Sequence, residues 1–409
     1  MRFGLLGRKL GHSYSPQIHA LLGDYEYPLY EKEPEDIEAF MTSNDFDGMN
    51  VTIPYKETVM PYMSQLSETA QKIGSVNTVT RLPDGTLYGD NTDYYGFSYM
   101  LDSAGFDIKD KKVIVLGNGG ASKTAVCVCR DKGAKEVTVI SRRSETDNYQ
   151  NITKHSNADY IINTTPVGMY PNNGESPVDL GIFKQCKGVA DLIYNPSKTQ
   201  FLLDAENLSI PAVNGLTMLC AQAVKAAESF TKQKYDNNTA LEITKKLESQ
   251  MLNIVLVGMP GCGKSTAAKT LSRMLGREVI DTDDLIKTNE GREISEIFST
   301  EGEEYFRNAE SLAVKQAGKQ SGKIIATGGG AILSDENKTA LRQNSVVVFL
   351  KRDLSQLDTD GRPLSQNTKL EEMYKKRLPH YEAVCDITVE VSADKTETST
   401  RILKGLGLI

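Results

Sequence analysis

Gly258-Met259-Pro260-Gly261-Cys262-Gly263-Lys264-Ser265 follows the apolar run Leu252–Val257 and precedes a stretch with helical spacing. The octapeptide fits GxxxxGK[ST], and strand-loop-helix is the setting in which that pattern cradles phosphate. Its glycines let successive backbone N–H groups converge on phosphate oxygens, and the helix start adds positive potential. Gly261, Cys262, Gly263 and Thr266 are therefore expected around ATP. Lys264 is expected on the β- and γ-phosphates, and Ser265 on Mg²⁺. An apolar strand that delivers such a loop belongs to an α/β domain with a parallel sheet.

Working outward toward the C-terminus, Asp281-Thr282-Asp283-Asp284 closes the next strand, Glu278–Ile280. Two carboxylates at i, i+2 on a strand end can divide work between a metal and a second substrate. In Glu303-Glu304-Tyr305-Phe306-Arg307-Asn308-Ala309-Glu310, helical spacing puts Arg307 and Glu310 on one face. Thr327-Gly328-Gly329-Gly330 ends another apolar strand and leaves bare backbone for close approach. Gly361-Arg362-Pro363-Leu364 and Arg377-Leu378-Pro379-His380-Tyr381 complete the series.

In this order the segments resemble shikimate kinase across residues 251–409. The resemblance implies Asp281 on Mg²⁺ beside Ser265. It implies Asp283 as the base on the acceptor hydroxyl, with Lys264 as a catalytic cation. Shikimate would be held by Asp283, Arg307, Gly328, Gly329, Gly330 and Arg377, an arginine meeting its carboxylate. Arg362 would neutralise phosphate charge from a lid. Where the family often carries an adenine-stacking arginine, this chain reads Leu354-Ser355-Gln356-Leu357-Asp358, ahead of a short lid.

Toward the N-terminus the rhythm is again βα. Strands are expected at Arg2–Gly7, Gly48–Ile53 and Val76–Arg81, with helices at Ser15–Gly23 and Pro34–Ser43, in a mostly parallel sheet. A second block has strands at Val113–Leu116, Val137–Ser141, Tyr160–Asn163 and Val189–Leu192, then a helix over Thr217–Lys234. The turn Gly117-Asn118-Gly119-Gly120-Ala121-Ser122 sits between strand and helix, where a dinucleotide pyrophosphate binds. After the next strand, Ser141-Arg142-Arg143 offers cations instead of an acidic residue, which favours the 2′-phosphate of NADP.

Five segments carry a second resemblance: His12-Ser13-Tyr14-Ser15-Pro16, Asn50-Val51-Thr52-Ile53-Pro54-Tyr55-Lys56, Gly74–Thr78, Asp90-Asn91-Thr92-Asp93 and Asn214–Gln222. Together they resemble shikimate dehydrogenase over residues 1–250. The resemblance implies a substrate-binding domain, about residues 1–100 with later helices, and a Rossmann-like NADP domain, about 101–215. Ser13 and Ser15 would take the substrate carboxylate, and Thr52, Asn77 and Gln222 its hydroxyls. Lys56 and Asp93 would form the catalytic pair, Lys56 giving a proton to the alkoxide. Tyr194 and Thr165, from Asn163–Met169 and Tyr194–Pro196, would flank the cleft. Gly215 and Met218 would complete the cofactor contacts. Only Ser144–Asn157 separates two strands where more sequence usually intervenes, so a trimmed cofactor domain is expected.

The bulk numbers agree with two such enzymes in tandem, divided near Gln250. The chain has 409 residues, room for two or three domains. A net charge of −7 argues against broad binding to nucleic acid or anionic membrane. Cys127, Cys129, Cys186, Cys220, Cys262 and Cys385 fit neither a zinc site nor a disulfide framework, so free thiols in a reducing, cytoplasmic setting are expected. The N-terminus does not read as a secretory signal, and no apolar run approaches the roughly 20 residues of a membrane span. The expected partners are small molecules, 3-dehydroshikimate and shikimate; oligomeric state stays open. Two other readings stand beside this one. The first is a quinate-preferring dehydrogenase with a polyol kinase. The second is a sensor without turnover, which the retained Lys56, Asp93, Lys264 and Asp281 disfavour.

Overall fold

The computed structural model describes residues 1–11, 13–357 and 370–409. They divide into two compact units. Unit 1 comprises Met1–Gly168, Glu175–Tyr194 and Asp204–Lys246; unit 2 comprises Met169–Gly174, Asn195–Leu203 and Leu247–Ile409. The division departs from a single cut near Gln250, because two short stretches of the first half pack with the second unit.

Unit 1 holds two sheets. The first contains β1 (Leu5–Gly7), β2 (Leu29–Glu31), β3 (Gly48–Val51), β4 (Gln65–Leu66), β5 (Thr78–Arg81) and β6 (Leu87–Asp90) in the order β2-β1-β3-β5-β6-β4. The sheet is mostly parallel, as expected, with one exception: β5 runs antiparallel to both β3 and β6. A tight loop makes the reversal between β5 and β6. Asp84 accepts from the Thr86 N–H and hydroxyl at 2.9 and 2.7 Å, and Gly85 takes φ 86°. Strand β3 also ends sooner than expected, and Ile53 beyond it is exposed. Leu6, Met49, Val51 and Val79 are buried beneath the sheet with Phe46 and Tyr55. Burial of each large apolar side chain contributes about 1.5–3 kcal/mol.

The second sheet is wholly parallel: β7 (Lys112–Leu116), β8 (Glu136–Ile140), β9 (Tyr160–Asn163), β10 (Gly188–Asp191) and β11 (Ala212–Val213), in the order β11-β10-β9-β7-β8. Consecutive strands β8 and β9 lie on opposite sides of β7, so the order reverses there. A crevice at such a reversal is where open α/β sheets bind ligands. Between β8 and β9 the chain makes only the single 3-10 turn Ile152–His155, leaving β8 at the edge. Helices Thr92–Ser103 and Leu216–Thr231 join the two sheets' cores. They approach so closely that a Cβ on Gly96 would stand 2.6 Å from the Met218 carbonyl oxygen.

Unit 2 is built on β12 (Asn253–Val257), β13 (Val279–Asp281), β14 (Ile324–Ala326), β15 (Ser345–Lys351) and β16 (Ile387–Glu390). All pair in parallel, in the order β13-β14-β12-β15-β16. Every residue of β12 is buried, as its apolar run Ile254–Val257 requires when helices cover both faces. The stretches 169–174 and 195–203 are bonded into this unit: Tyr170 donates to the Gly318 carbonyl at 3.3 Å and the Lys198 N–H to that of Gln343 at 2.7 Å. All six cysteines are free thiols. Among the described residues no helix is long and apolar enough to cross a membrane.

Candidate active sites

Unit 1 contains a cavity of about 420 Å³ lined by Ser13, Ser15, Thr52, Lys56, Asn77, Asp93, Tyr194 and Gln222. Every catalytic and substrate-contacting residue expected of this half therefore meets in one place. Lys56 lies in the turn after β3, its carbonyl held by the Val76 N–H at 2.8 Å. Asp93 lies in the first turn of helix Thr92–Ser103, just after β6. The Lys56 Nζ donates to Asp93 Oδ2 at 2.5 Å. Asn77 ties three elements together. Its Oδ1 accepts the Thr92 N–H at 2.7 Å, while its amide donates to Gln222 Oε1 at 3.2 Å. Ser13 Oγ accepts the Ser15 N–H at 3.2 Å, and the Tyr14 and Tyr194 rings meet edge to face. Burial raises the Tyr194 phenol above its usual range. His12 lies outside the described residues.

His19 is a lining residue that the sequence did not single out. It is 1% exposed and stacks on Tyr27 at 3.8 Å. Its Nδ1 lies 2.7 Å from the Tyr25 hydroxyl, and its Nε2 has no partner among the described residues. Burial drives its pKa down to about 3. The one available signal was its place four residues after Ser15 on the same short helix, Ser15–His19.

At the sheet reversal the loops after β7 and β9 touch. Gly117 takes φ 103°, and a Cβ there would stand 2.9 Å from Thr164 Oγ1 and 3.0 Å from Thr165 Cγ2. Thr165 is fixed by Asn163, whose Oδ1 accepts its N–H at 3.0 Å and its hydroxyl at 2.7 Å. Helix Gly120–Asp131 starts inside the expected glycine turn. Asn118, Gly119, Gly120 and Ala121 are all exposed there, and nothing lies within 4 Å of a Cβ on either glycine. That open helix start suits a pyrophosphate. The expected strand end Ser141 lies one residue past β8 and is buried; Arg142 and Arg143 beyond it are exposed. These groups fit NADP. Gly215 caps helix Leu216–Thr231 against β10, where a Cβ would stand 2.1 Å from the Leu192 carbonyl oxygen. Met218, expected at the cofactor, packs in the core with Phe97, Met100 and Val115.

Unit 2 contains a larger cavity, about 550 Å³, around the phosphate loop. Gly261, Gly263, Lys264, Ser265 and Thr266 line it with Asp281, Asp283, Arg307, Gly328, Gly329, Gly330 and Arg377. Cys262 differs from its neighbours, since its side chain is fully buried. Lys264 Nζ caps the Gly258 and Met259 carbonyls at 2.9 and 3.0 Å. Ser265 Oγ donates to Asp281 Oδ2 at 2.8 Å, and Asp281 Oδ1 accepts the Asp283 N–H at 3.0 Å. The hydroxyl and carboxylate expected on Mg²⁺ thus stand together. Among the described residues no three His, Cys, Asp or Glu side chains converge.

On the acceptor side, Arg307 donates to Glu310 at 2.7 Å and to Glu303 at 3.1 Å. Burial works to lower the Arg307 guanidinium, but Glu310 and Glu303 together outweigh it and the net shift is upward. Burial pushes the Glu310 carboxyl up, as it does Asp283, which Asp281 raises further. The triple glycine fits between them. A Cβ on Gly328 would lie 2.9 Å from both Asp283 Oδ1 and Glu310 Oε1, and one on Gly330 2.5 Å from Arg307 Nη1. The Gly329 carbonyl accepts from Arg377 at 3.1 Å and Tyr381 at 2.7 Å. Arg362 lies outside the described residues. Arg352 lines the cavity although the sequence reading passed over it; its signal was a basic pair closing an apolar strand.

The comparisons with known proteins divide the chain the same way. The family model "Shikimate dehydrogenase substrate binding domain" matches residues 5–79, and "Shikimate kinase" matches 260–406. A shikimate dehydrogenase (NADP(+)) of Clostridium beijerinckii is 40% identical over 254 residues, covering 58% of this chain and 93% of the relative. The chain belongs to the shikimate dehydrogenase family. Beyond that dehydrogenase half, its C-terminal part carries the shikimate kinase domain. Two solved structures align with the dehydrogenase half. One is a chorismate mutase/shikimate 5-dehydrogenase fusion protein from Clostridium acetobutylicum, 38% identical, TM-score 0.57, over 60% of this chain and 96% of that one. The other is a shikimate 5-dehydrogenase from Thermus thermophilus in complex with NADP(H) and shikimate, 29% identical, TM-score 0.55, over 60% and 99%.

Proposed function

We propose that this chain carries out two consecutive steps of the shikimate pathway. The dehydrogenase half reduces the ketone of 3-dehydroshikimate, and the kinase half phosphorylates shikimate to shikimate 3-phosphate. One observation carries the proposal: each cavity gathers, within one unit, catalytic groups of the kind its own reaction needs. A lysine on a carboxylate stands in one, and a phosphate-loop lysine facing two aspartates stands in the other.

In the dehydrogenase half, NADPH supplies the hydride when bound. Arg142 and Arg143 would hold its 2′-phosphate, and the helix start at Gly119 and Gly120 its pyrophosphate. Lys56 holds a proton on Nζ and gives it to the oxygen that becomes the alcohol. Asp93 keeps Nζ aimed and balances its charge through the bond they share. Ser13 and Ser15 would receive the substrate carboxylate, and Thr52, Asn77 and Gln222 its ring hydroxyls. In the kinase half, Mg²⁺ held by Ser265 and Asp281 would offset phosphate charge when bound. Lys264 exchanges the loop carbonyls for phosphate oxygens. Asp283 accepts the proton of the attacking hydroxyl, while Arg307 and Arg377 hold the acceptor's carboxylate.

The test is a coupled assay on the whole chain with 3-dehydroshikimate, NADPH, ATP and Mg²⁺. Because the chain has no Trp, NADPH fluorescence is read against little protein background. NADPH loss together with ADP and shikimate 3-phosphate is the expected result. Lys56→Ala stops reduction and leaves phosphorylation of added shikimate; Lys264→Ala does the reverse. Loss of both activities in either variant, with both units folded, overturns the picture of independent sites.

A further inference from the structure

The residues expected to meet the phosphoryl acceptor reach the kinase cavity from Asp283 beyond β13, the glycines beyond β14, and two helices. Strands β13 and β14 lie on one side of β12, whose C-terminal end delivers the phosphate loop. On the other side of β12 is β15, and the residue just past its end is Arg352. Contact with the loop itself holds that strand end in place. A Cβ on Gly258 would stand 2.6 Å from the Leu350 carbonyl oxygen, with Cys262 Sγ packed 2.9 Å away. Two residues on, Arg352 lines the cavity, its Nη1 3.9 Å from where a Cβ on Gly263 would be. Gly263 caps helix Lys264–Leu275, whose first N–H groups would face bound phosphates. The Arg352 Nε is buried without a partner, and among the described residues its guanidinium makes no ion pair. The adjacent Asp353 turns one oxygen, Oδ1, to both the N–H and the hydroxyl of Ser355.

We infer that Arg352 is a nucleotide-phosphate ligand of the kinase site, a second fixed cation that meets the polyphosphate from the side opposite the acceptor. The inference rests on the kinase reading above and adds to it. A guanidinium with no ion pair among the described residues, beside an anion cradle, is poised for charge-assisted bonds to phosphate oxygens. Its anchoring to β15 means that it needs no lid closure to reach them.

The experiment compares the full chain with Arg352→Ala and Arg352→Lys. Initial kinase rates are measured against ATP and against shikimate, ADP binding is titrated directly, and the dehydrogenase rate reports folding. In Arg352→Ala the KM for ATP rises and ADP affinity falls, each by about tenfold or more. The KM for shikimate and the dehydrogenase rate stay within about twofold, and Arg352→Lys recovers part of the loss. ATP KM and ADP affinity both unchanged in Arg352→Ala overturn the inference. So does an equal rise in the KM for shikimate, which marks a general disturbance of the cavity. If the unaltered chain makes no ADP from ATP and shikimate, the acceptor reading fails. The ADP titration of the same proteins then still decides the role of Arg352, and absence of ADP binding to the unaltered chain also overturns it.

Discussion

Gly330 shows how closely single residues tune the kinase cavity. The atom nearest a Cβ placed there is Arg307 Nη1, the far end of a flexible side chain. Gly330→Ala is therefore expected to push the guanidinium aside and loosen its bond to the buried Glu310 carboxylate. Shikimate KM rises about tenfold, ATP KM holds, and unit 2 loses about 1–3 kcal/mol of stability. Steady-state kinetics and a urea titration check both. His19 yields a prediction in pH. Its folded pKa is about 3, below the ordinary 6.5, so burial of the neutral ring contributes full stability only above 6.5. That contribution drains away as pH falls from 6.5 toward 3, because the unfolded chain takes up the proton first. Unit 1 should lose stability across this window faster than His19→Gln, by up to about 1.4 kcal/mol per pH unit. Equal slopes in denaturant titrations of the two would refute it. The sequence pointed to the phosphate-loop groups because GxxxxGK[ST] sets those residue types at that spacing, and to Lys56 and Asp93 through the family resemblance of the segments that carry them. His19 and Arg352 were hidden for the opposite reason: one sits on a five-residue helix and the other just past a strand end, where only the tertiary fold aims them.

At the level of elements, Gly215 marks the tightest junction in unit 1. It begins helix Leu216–Thr231 directly against the backbone after β10, with its own N–H bonded to the Ile193 carbonyl at 3.1 Å. Here the obstacle to a methyl group is backbone, which cannot rotate away. Gly215→Ala should displace the helix start and destabilise unit 1 by about 1–3 kcal/mol, with the dehydrogenase rate falling and the kinase rate retained. Calorimetry with both assays distinguishes this from loss of a cofactor contact alone. Buried parallel strands were the most legible elements, since β12, β7 and β9 each carry a run of consecutive apolar residues, Ile254–Val257, Val113–Leu116 and Tyr160–Ile162. The antiparallel pairing of β5 with β6 was not legible, because a four-residue strand such as Leu87–Asp90 has too little pattern to separate it from a loop. Helix ends moved for local reasons: Leu216–Thr231 stops short of Lys234 because Lys232 turns left-handed, at φ 60°. The thin connection between β8 and β9 was visible in chain length alone, which a missing strand must shorten.

Across the whole molecule, each of the two active-site cavities is lined, among the described residues, from one unit only, which is why the lysine substitutions are expected to separate the activities. The units themselves are not consecutive lengths of chain. A fragment of residues 251–409 keeps every kinase motif but lacks 169–174 and 195–203, which bond to Gly318 and Gln343 within unit 2. Such a fragment should retain shikimate-dependent ATP turnover and melt several degrees below the kinase transition of the full chain, roughly what 1–2 kcal/mol does to a domain of this size. Equal melting temperatures would show that the two stretches add nothing. Their placement also bears on inheritance. A recombination breakpoint near Gln250 would hand a descendant all the kinase chemistry and strand part of its scaffold in the other gene. Catalysis in this chain can be inherited as a cassette, whereas its packing is inherited only as a whole.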